Sequence, residues 1–255
     1  MRTLGANERN SWQVSDRLVD LRRPTRTSRP VRVDTEPQTL VVDLARTALI
    51  VVDMQNDFCS PHGWLASIGV DVEPARRPIE PLRALIPALR SLDVPIVWLN
   101  WGNRPDRANL PPNVLHVYSP DGHAPGIGER PRPGGSPTLQ AGSWSAAVVD
   151  ELTVEPTDIR VDKYRMSGFF DTALDGVLRN LDVTTLLFAG VNVDQCVFAT
   201  LTDAACLGYD CILLKDCCAT TSPAYCEDAT HYNVRQCFGF VADSKALAHG
   251  IESDR

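Results

Sequence analysis

Residues 184–208 read TTLLFAGVNVDQCVFATLTDAACLG. Thr184–Ala189 is a short apolar run of the kind that forms a buried strand. Asp194–Leu207 suits a helix, and Gly208 is a C-terminal stop. Cys196 therefore falls in the first turn of a helix, at the C-terminal edge of a parallel sheet. Unpaired backbone N–H groups gather there, and the helix dipole favours negative charge. Such a setting lowers a thiol pKa and can hold a developing oxyanion. The competing reading is a buried, inert cysteine, the commoner fate of a free thiol.

The same strand-then-polar pattern recurs twice. Thr47–Val52 (TALIVV) runs straight into Asp53, and Asp158–Asp162 (DIRVD) runs into Lys163. Ligands of open parallel sheets bind outside the carboxyl ends of the strands. An Asp, a Lys and a Cys meeting there form a workable set for nucleophilic attack on a carbonyl. The carboxylate takes the thiol proton and returns it to a leaving amine. The ammonium favours both anions. Taken singly, Asp53 reads as a local backbone cap and Lys163 as a solvated strand end. Their convergence on one edge argues for chemistry.

Strands and helices alternate beyond Thr47. Strands are expected at 47–52, 95–100, 158–162, 184–189, 211–214 and 238–242. Helices are expected at 72–92, 144–149, 170–180, 194–207, 223–237 and 244–251, the first kinked or late because of Pro78, Pro81 and Pro87. The pattern predicts a three-layer α/β/α sandwich with a mainly parallel sheet of about six strands. The main α/β domain is expected over 41–255. Residues 1–40, rich in Arg, Pro and Thr, read as an extended arm wrapping the body or a neighbouring subunit, with plain disorder as the alternative.

These pieces resemble the isochorismatase-like cysteine hydrolases over about 45–248. The specific stretches are ALIVVDMQNDFC, the strand ending at Lys163, and GVNVDQCVFATLTDAACLGYDCILLKDCCAT. GSWSAAVVDEL and KYRMSGFFDTALDGVLRNL look most like the ureidoacrylate branch, and NRPDRANLP more like the biuret branch. The resemblance implies a catalytic triad of Asp53, Lys163 and Cys196. It also implies a cis peptide between Val191 and Asn192, and an oxyanion hole from the backbone N–H groups of Asn192 and Cys196. The ureidoacrylate branch carries an aromatic shortly after its lysine, where this chain has Met166. The Asp-x-His metal pair of nicotinamidases is missing from PIVWLNWGNR at 95–104, so no metal and no cofactor are expected. Homodimers or homotetramers are implied.

The long Pro- and Gly-rich stretch from Trp101 to Gly142 follows the second strand and should overhang the site as a lid. Trp101, Asn103 and Arg104 at its root are candidate substrate contacts, with ordinary loop packing as the alternative. Gln55, Asn56 and Phe58, just past Asp53, are further candidates. Phe169 is a candidate apolar wall, or else a core-facing helix start. The expected substrate is a small amide or ureide, attacked through a thioester. A larger cyclic amide such as a streptothricin-type lactam, or a non-catalytic binding protein of the same fold, are the alternatives.

The 255 residues are 44% hydrophobic, enough for a sizeable core, and carry a net charge of −7. That charge argues against nucleic-acid or membrane-surface binding. No run is long enough to span a bilayer, and no signal-peptide core opens the chain. The eight cysteines include no C-x-x-C pair and lie along an α/β pattern, so reduced thiols and a cytoplasmic setting are expected.

Overall fold

A computed structural model describes residues 1–131 and 134–253. Six of its seven central strands are parallel. They are β7 (Thr47–Val52), β8 (Ile96–Trp101), β9 (Ile159–Lys163), β10 (Thr185–Gly190), β11 (Asp210–Cys218) and β12 (Phe240–Ala242). Their order across the sheet is β12-β11-β10-β7-β8-β9. The chain thus starts in the middle at β7, winds outward through β8 and β9, then returns to the other side of β7 for β10 to β12. The crevice between β7 and β10 is a topological switch point, where parallel sheets open to ligands.

The central strands are apolar on both faces because helices cover both. Every residue of β7 and β10 is buried. Helix α4 (Ile79–Arg90) buries Ile79, Leu82, Leu85, Ile86 and Leu89, the spacing of one helical face. Side chains such as Phe188 and Trp98, fully buried here, each contribute about 1.5–3 kcal/mol relative to exposure. At Gly190 the backbone takes φ +110, and a Cβ there would meet the Val52 carbonyl oxygen at 2.0 Å. Only glycine lets β10 lie this close to β7 just before the nucleophile loop.

Several boundaries differ from expectation. The seventh strand, β5 (Thr35–Glu36), joins antiparallel to β12 from the arm. Two polar residues carry no alternation signal, so the expectation of six strands missed it. Earlier in the arm, β1 (Arg2–Asn7), β2 (Asn10–Val14) and β3 (Val19–Asp20) form an antiparallel sheet, and β4 (Pro30–Val33) pairs with β6 (Leu40–Asp43). Arg9 donates to the Ala45 and Asp93 carbonyls, and Asn10 to Asn180, so the arm packs on its own chain's body. The helix expected at 72–92 is two, α3 (Glu73–Arg76) and α4, divided at Pro78. Residues 144–147 form turns and bends, and Val148 bridges antiparallel to Gln55. Helix α6 covers only Leu174–Asn180. The helix expected at 194–207 begins as a π-turn, Val193–Val197, and becomes α-helical as α7 over Phe198–Cys206. Helix α8 (Ala224–Asn233) likewise ends in a π-turn at Val234–Phe238, and α9 (Ser244–Ser253) closes the chain. The short helices are α1 (Asn56–Cys59), α2 (Trp64–Ser67) and α5 (Pro112–Leu115). Among the described residues no helix is long and apolar enough to cross a membrane.

Candidate active site

Asp53, Lys163 and Cys196 converge at the switch point. Asp53 follows β7 and Cys196 follows β10, its direct neighbour. Asp53 leaves the sheet with φ +51, a left-handed conformation that Asp tolerates better than most residues. Lys163 ends β9, two strands from β7, a gap of about 10 Å at the usual strand spacing. Its side chain spans β8 by lying over the Trp101 ring, with Nζ 4.4 Å from the ring centroid. Beyond the ring, Nζ reaches Asp53 Oδ2 at 2.8 Å. Lys163 is fully buried, Asp53 is 1% exposed and Cys196 5%. Lys163 also donates to the Arg165 carbonyl at 3.3 Å.

The peptide between Val191 and Asn192 is cis, as the resemblance implied. Cys196 sits inside the π-turn, and its thiol contacts the Met166 sulfur at 3.7 Å. Met166, where the resemblance implied an aromatic, thus flanks the sulfur.

Burial dominates the titration of all three groups. Desolvation pushes the Asp53 carboxyl up, against the opposing pull of Lys163. Desolvation also opposes the Lys163 charge, but Asp53 and Cys196 outweigh it and hold the ammonium above its ordinary value. Burial pushes the Cys196 thiol up to about 12, although Lys163 pulls it down. This corrects the expectation of a lowered thiol pKa. A dry site costs an isolated anion more than a single turn of helix returns. The resting state is therefore a neutral thiol beside an Asp–Lys ion pair.

The other candidates separate into groups. Gln55 is wholly buried, and its carboxamide is used up by backbone. It accepts from the Trp101 N–H at 2.8 Å and donates to the Trp101 and Ala146 carbonyls at 2.8 and 2.7 Å. Asn56 donates to the Trp144 carbonyl. Asn103 accepts from Trp101 Nε1 and donates to the Thr138 carbonyl. These three brace the lid's root, and their polar groups are already engaged within the protein. Trp101 is the ring beneath Lys163, and Phe58 is buried in the core. Arg104 is on the surface and pairs with Asp106. The Phe169 ring packs on Tyr209, which follows the end of α7 opposite Cys196.

Sequence reasoning missed a polar group beside the sulfur. Tyr118, from the lid, donates to Gln195 Oε1 at 3.2 Å. Gln195 Nε2 donates to the Ser222 hydroxyl, and Asn192 Nδ2 reaches Gln195 Oε1 at 3.4 Å. Trp64 fixes the lid from below. Its ring meets Tyr118 edge-on at 5.5 Å, and its Nε1 donates to the Pro125 carbonyl. Nothing periodic marks Tyr118 in the lid sequence. Gln195 had a signal, its place next to Cys196. Among the described residues no group of three His, Cys, Asp or Glu side chains is placed to hold a metal.

An isochorismatase domain model matches residues 47–246. The chain is 33% identical over 225 residues to the ureidoacrylate amidohydrolase RutB of Klebsiella variicola (strain At-22), covering 87% of this chain and 93% of that protein. It is 36% identical over 230 residues to the RutB of Stutzerimonas stutzeri (strain A1501), covering 88% and 90%. Among solved structures it resembles a cysteine hydrolase from Pseudomonas syringae pv. phaseolicola 1448A, with TM-score 0.71 and 26% identity over 90% of this chain and all of that one. An N-carbamoylsarcosine amidase from Thermoplasma acidophilum matches at TM-score 0.59 and 27% identity, covering 78% and 96%. The chain therefore belongs to the isochorismatase family, as an amidohydrolase acting on carbon–nitrogen bonds other than peptide bonds.

Proposed function

We propose that the chain hydrolyses a C–N bond of a small amide or ureide through a Cys196 thioester. The observation that carries this reading is the fully buried Lys163 ammonium, held 2.8 Å from Asp53 at the strand edge that also bears Cys196. Burying two charges is costly, and a scaffold role alone gives no reason to place them beside a thiol.

The steps follow from the resting protonation states. The thiol is neutral, and burial strengthens the hold of both the sulfur and the Asp53 carboxyl on a proton. Substrate binding brings a carbonyl to the sulfur. Asp53 accepts the thiol proton as the C–S bond forms, and Lys163 stabilises the anions on either side of the transfer. The developing oxyanion rests on the backbone N–H groups of Asn192 and Cys196. Asp53 then gives the proton to the departing nitrogen. A water, deprotonated by Asp53, attacks the thioester, and the sulfur recovers its proton as it leaves.

The test is a screen of small amides and ureides for ammonia or amine release, with Cys196→Ala as control. Mass spectrometry of the wild type quenched during turnover should find an acyl adduct on Cys196. Cys196-independent release would overturn the reading.

A further inference from the structure

We propose that Tyr118 and Gln195 read the polar flank of an uncharged ureide, and that the site selects against substrates bearing a carboxylate. This rests on the amidohydrolase reading above and narrows its substrate class.

The side chains of the Tyr118 hydrogen-bond group are all neutral: the Tyr118 phenol, the Gln195 and Asn192 carboxamides and the Ser222 hydroxyl. Among the described residues, three cationic side chains near these walls are already engaged. Lys163 is held by Asp53. Arg165 meets Asp171 at 3.3 Å, donates to the Asn109 carbonyl and stacks on Tyr164. Arg104 is paired with Asp106. The Asp194 carboxylate accepts from the Thr220 hydroxyl, and with Cys196 it opposes ionisation of Tyr118 after the larger effect of burial. Among these described side chains, a carboxylate entering here would lose its water and find no unpaired cation, because the Lys163 charge is already matched by Asp53.

A neutral ureide fits the vacancies in the network. Tyr118 spends its proton on Gln195, so the phenol oxygen keeps lone pairs to accept a substrate N–H. A ureide has such an N–H beyond the scissile bond; a simple primary amide does not. Tyr118 also ties recognition to the lid. Its ring is seated against Trp64, so a substrate N–H on the phenol holds the lid shut over the nucleophile.

The experiment compares substrates that share one carbamoyl group. Neutral members are biuret and N-alkylureas; carboxylate members are N-carbamoyl amino acids and 3-ureidoacrylate. Neutral members should exceed the others in kcat/KM by about tenfold or more, the discrimination expected when a buried polar site mismatches its ligand. Tyr118→Phe keeps the ring on Trp64 and should raise KM for the neutral ureides by about tenfold, the worth of one hydrogen bond, while kcat changes far less. A preference for the carboxylate members, or an unchanged KM in a folded Tyr118→Phe protein, overturns this proposal and leaves the thioester reading standing. Absence of any Cys196-dependent turnover overturns both.

Discussion

Lys163 Nζ lies 2.8 Å from Asp53 Oδ2, and both side chains are shut away from solvent. Removing one member strands the other. Lys163→Ala leaves a buried carboxylate without its cation, a change that destabilises by about 3–5 kcal/mol when a buried pair is broken. It should also lower turnover by at least about 100-fold, because both anions of the proton transfer lose their stabiliser. The double variant Lys163→Met with Asp53→Leu removes both charges and should recover much of the stability while remaining inactive. Denaturant unfolding of the wild type and the variants decides this. If Lys163→Ala unfolds at the wild-type midpoint, the pair is not buried as described.

Cys196→Ala and Cys196→Ser should fold normally and lose turnover by about four orders of magnitude or more, as nucleophile removal does elsewhere. The thiol touches Met166, and its deletion leaves a gap the flexible thioether can fill. Circular dichroism and steady-state kinetics check both halves. Activity near wild type in the folded Ala protein would remove Cys196 from its role.

The raised thiol has consequences above neutral pH. Burial pushes Cys196, Cys59 and Cys211 up to about 12, from an ordinary value of 9.0. A group whose folded-state pKa is raised contributes its stability below the unfolded value and loses it as pH rises. The window is therefore from pH 9 towards 12, with a slope of up to about 1.4 kcal/mol per pH unit for each thiol. Urea midpoints in reductant at pH 7.5, 9.5 and 10.5 should fall in that order. Iodoacetamide should modify Cys196 slowly at pH 7.5, faster at pH 10, and more slowly still in Lys163→Ala, where the cation that lowers the thiol pKa is gone. A Cys196 that alkylates at its limiting rate by pH 8 would contradict this resting state.

The arm offers a separate test. Deleting Met1–Glu36 strips β12 of its antiparallel partner and removes the Arg9 and Asn10 contacts to the body. The truncated chain should melt several degrees lower at equal concentration, since one or two kcal/mol moves Tm by a few degrees in a domain of this size. Calorimetry with light scattering separates this loss from any change of assembly. An unchanged melt would mean the arm contributes nothing to its own chain.

The meeting of Asp53, Lys163 and Cys196 was legible because each lies at or just past the end of a strand, and parallel strands deliver their ends to one edge whatever their order. The order itself, with β7 central, was not readable, and with it went the reason Lys163 must reach over Trp101. Tyr118 was invisible, since a loop residue has no period and its partner Gln195 lies 77 positions away. The direction of the thiol shift was not legible because the helix-terminus argument considers only local charge, whereas the dominant factor, burial, is a property of the folded whole. Gln55, just past Asp53, and Asn103, at the root of the lid, read from sequence as candidate substrate contacts because polar residues in such places suggest a ligand. Here Gln55 is engaged by the Trp101 backbone and the Ala146 carbonyl, and Asn103 by the Trp101 indole and the Thr138 carbonyl.

Gln55 provides the clearest separation of those two roles. β7 ends at Val52, and Asp53 still donates to the Leu99 carbonyl of β8 before the chain turns away. Two residues further along β8, Trp101 has lost its neighbour on that side. The Gln55 carboxamide takes the missing strand's place, accepting from the Trp101 N–H and donating to its carbonyl. It thereby fixes the ring that carries Lys163. Gln55→Ala leaves the Trp101 N–H and the Trp101 and Ala146 carbonyls without these bonds, and unmet buried groups cost about 1–3 kcal/mol each before water relieves them. We expect a net loss of about 2–4 kcal/mol in stability and a fall in kcat, with KM little changed. Gln55→Glu should be no better, because a carboxylate cannot donate to either carbonyl and adds a buried charge. A substrate contact would behave oppositely, raising KM and leaving the unfolding midpoint where it was. Urea denaturation of the two variants beside their kcat and KM values distinguishes the cases, and a stable Gln55→Ala protein with only KM raised would return Gln55 to the substrate.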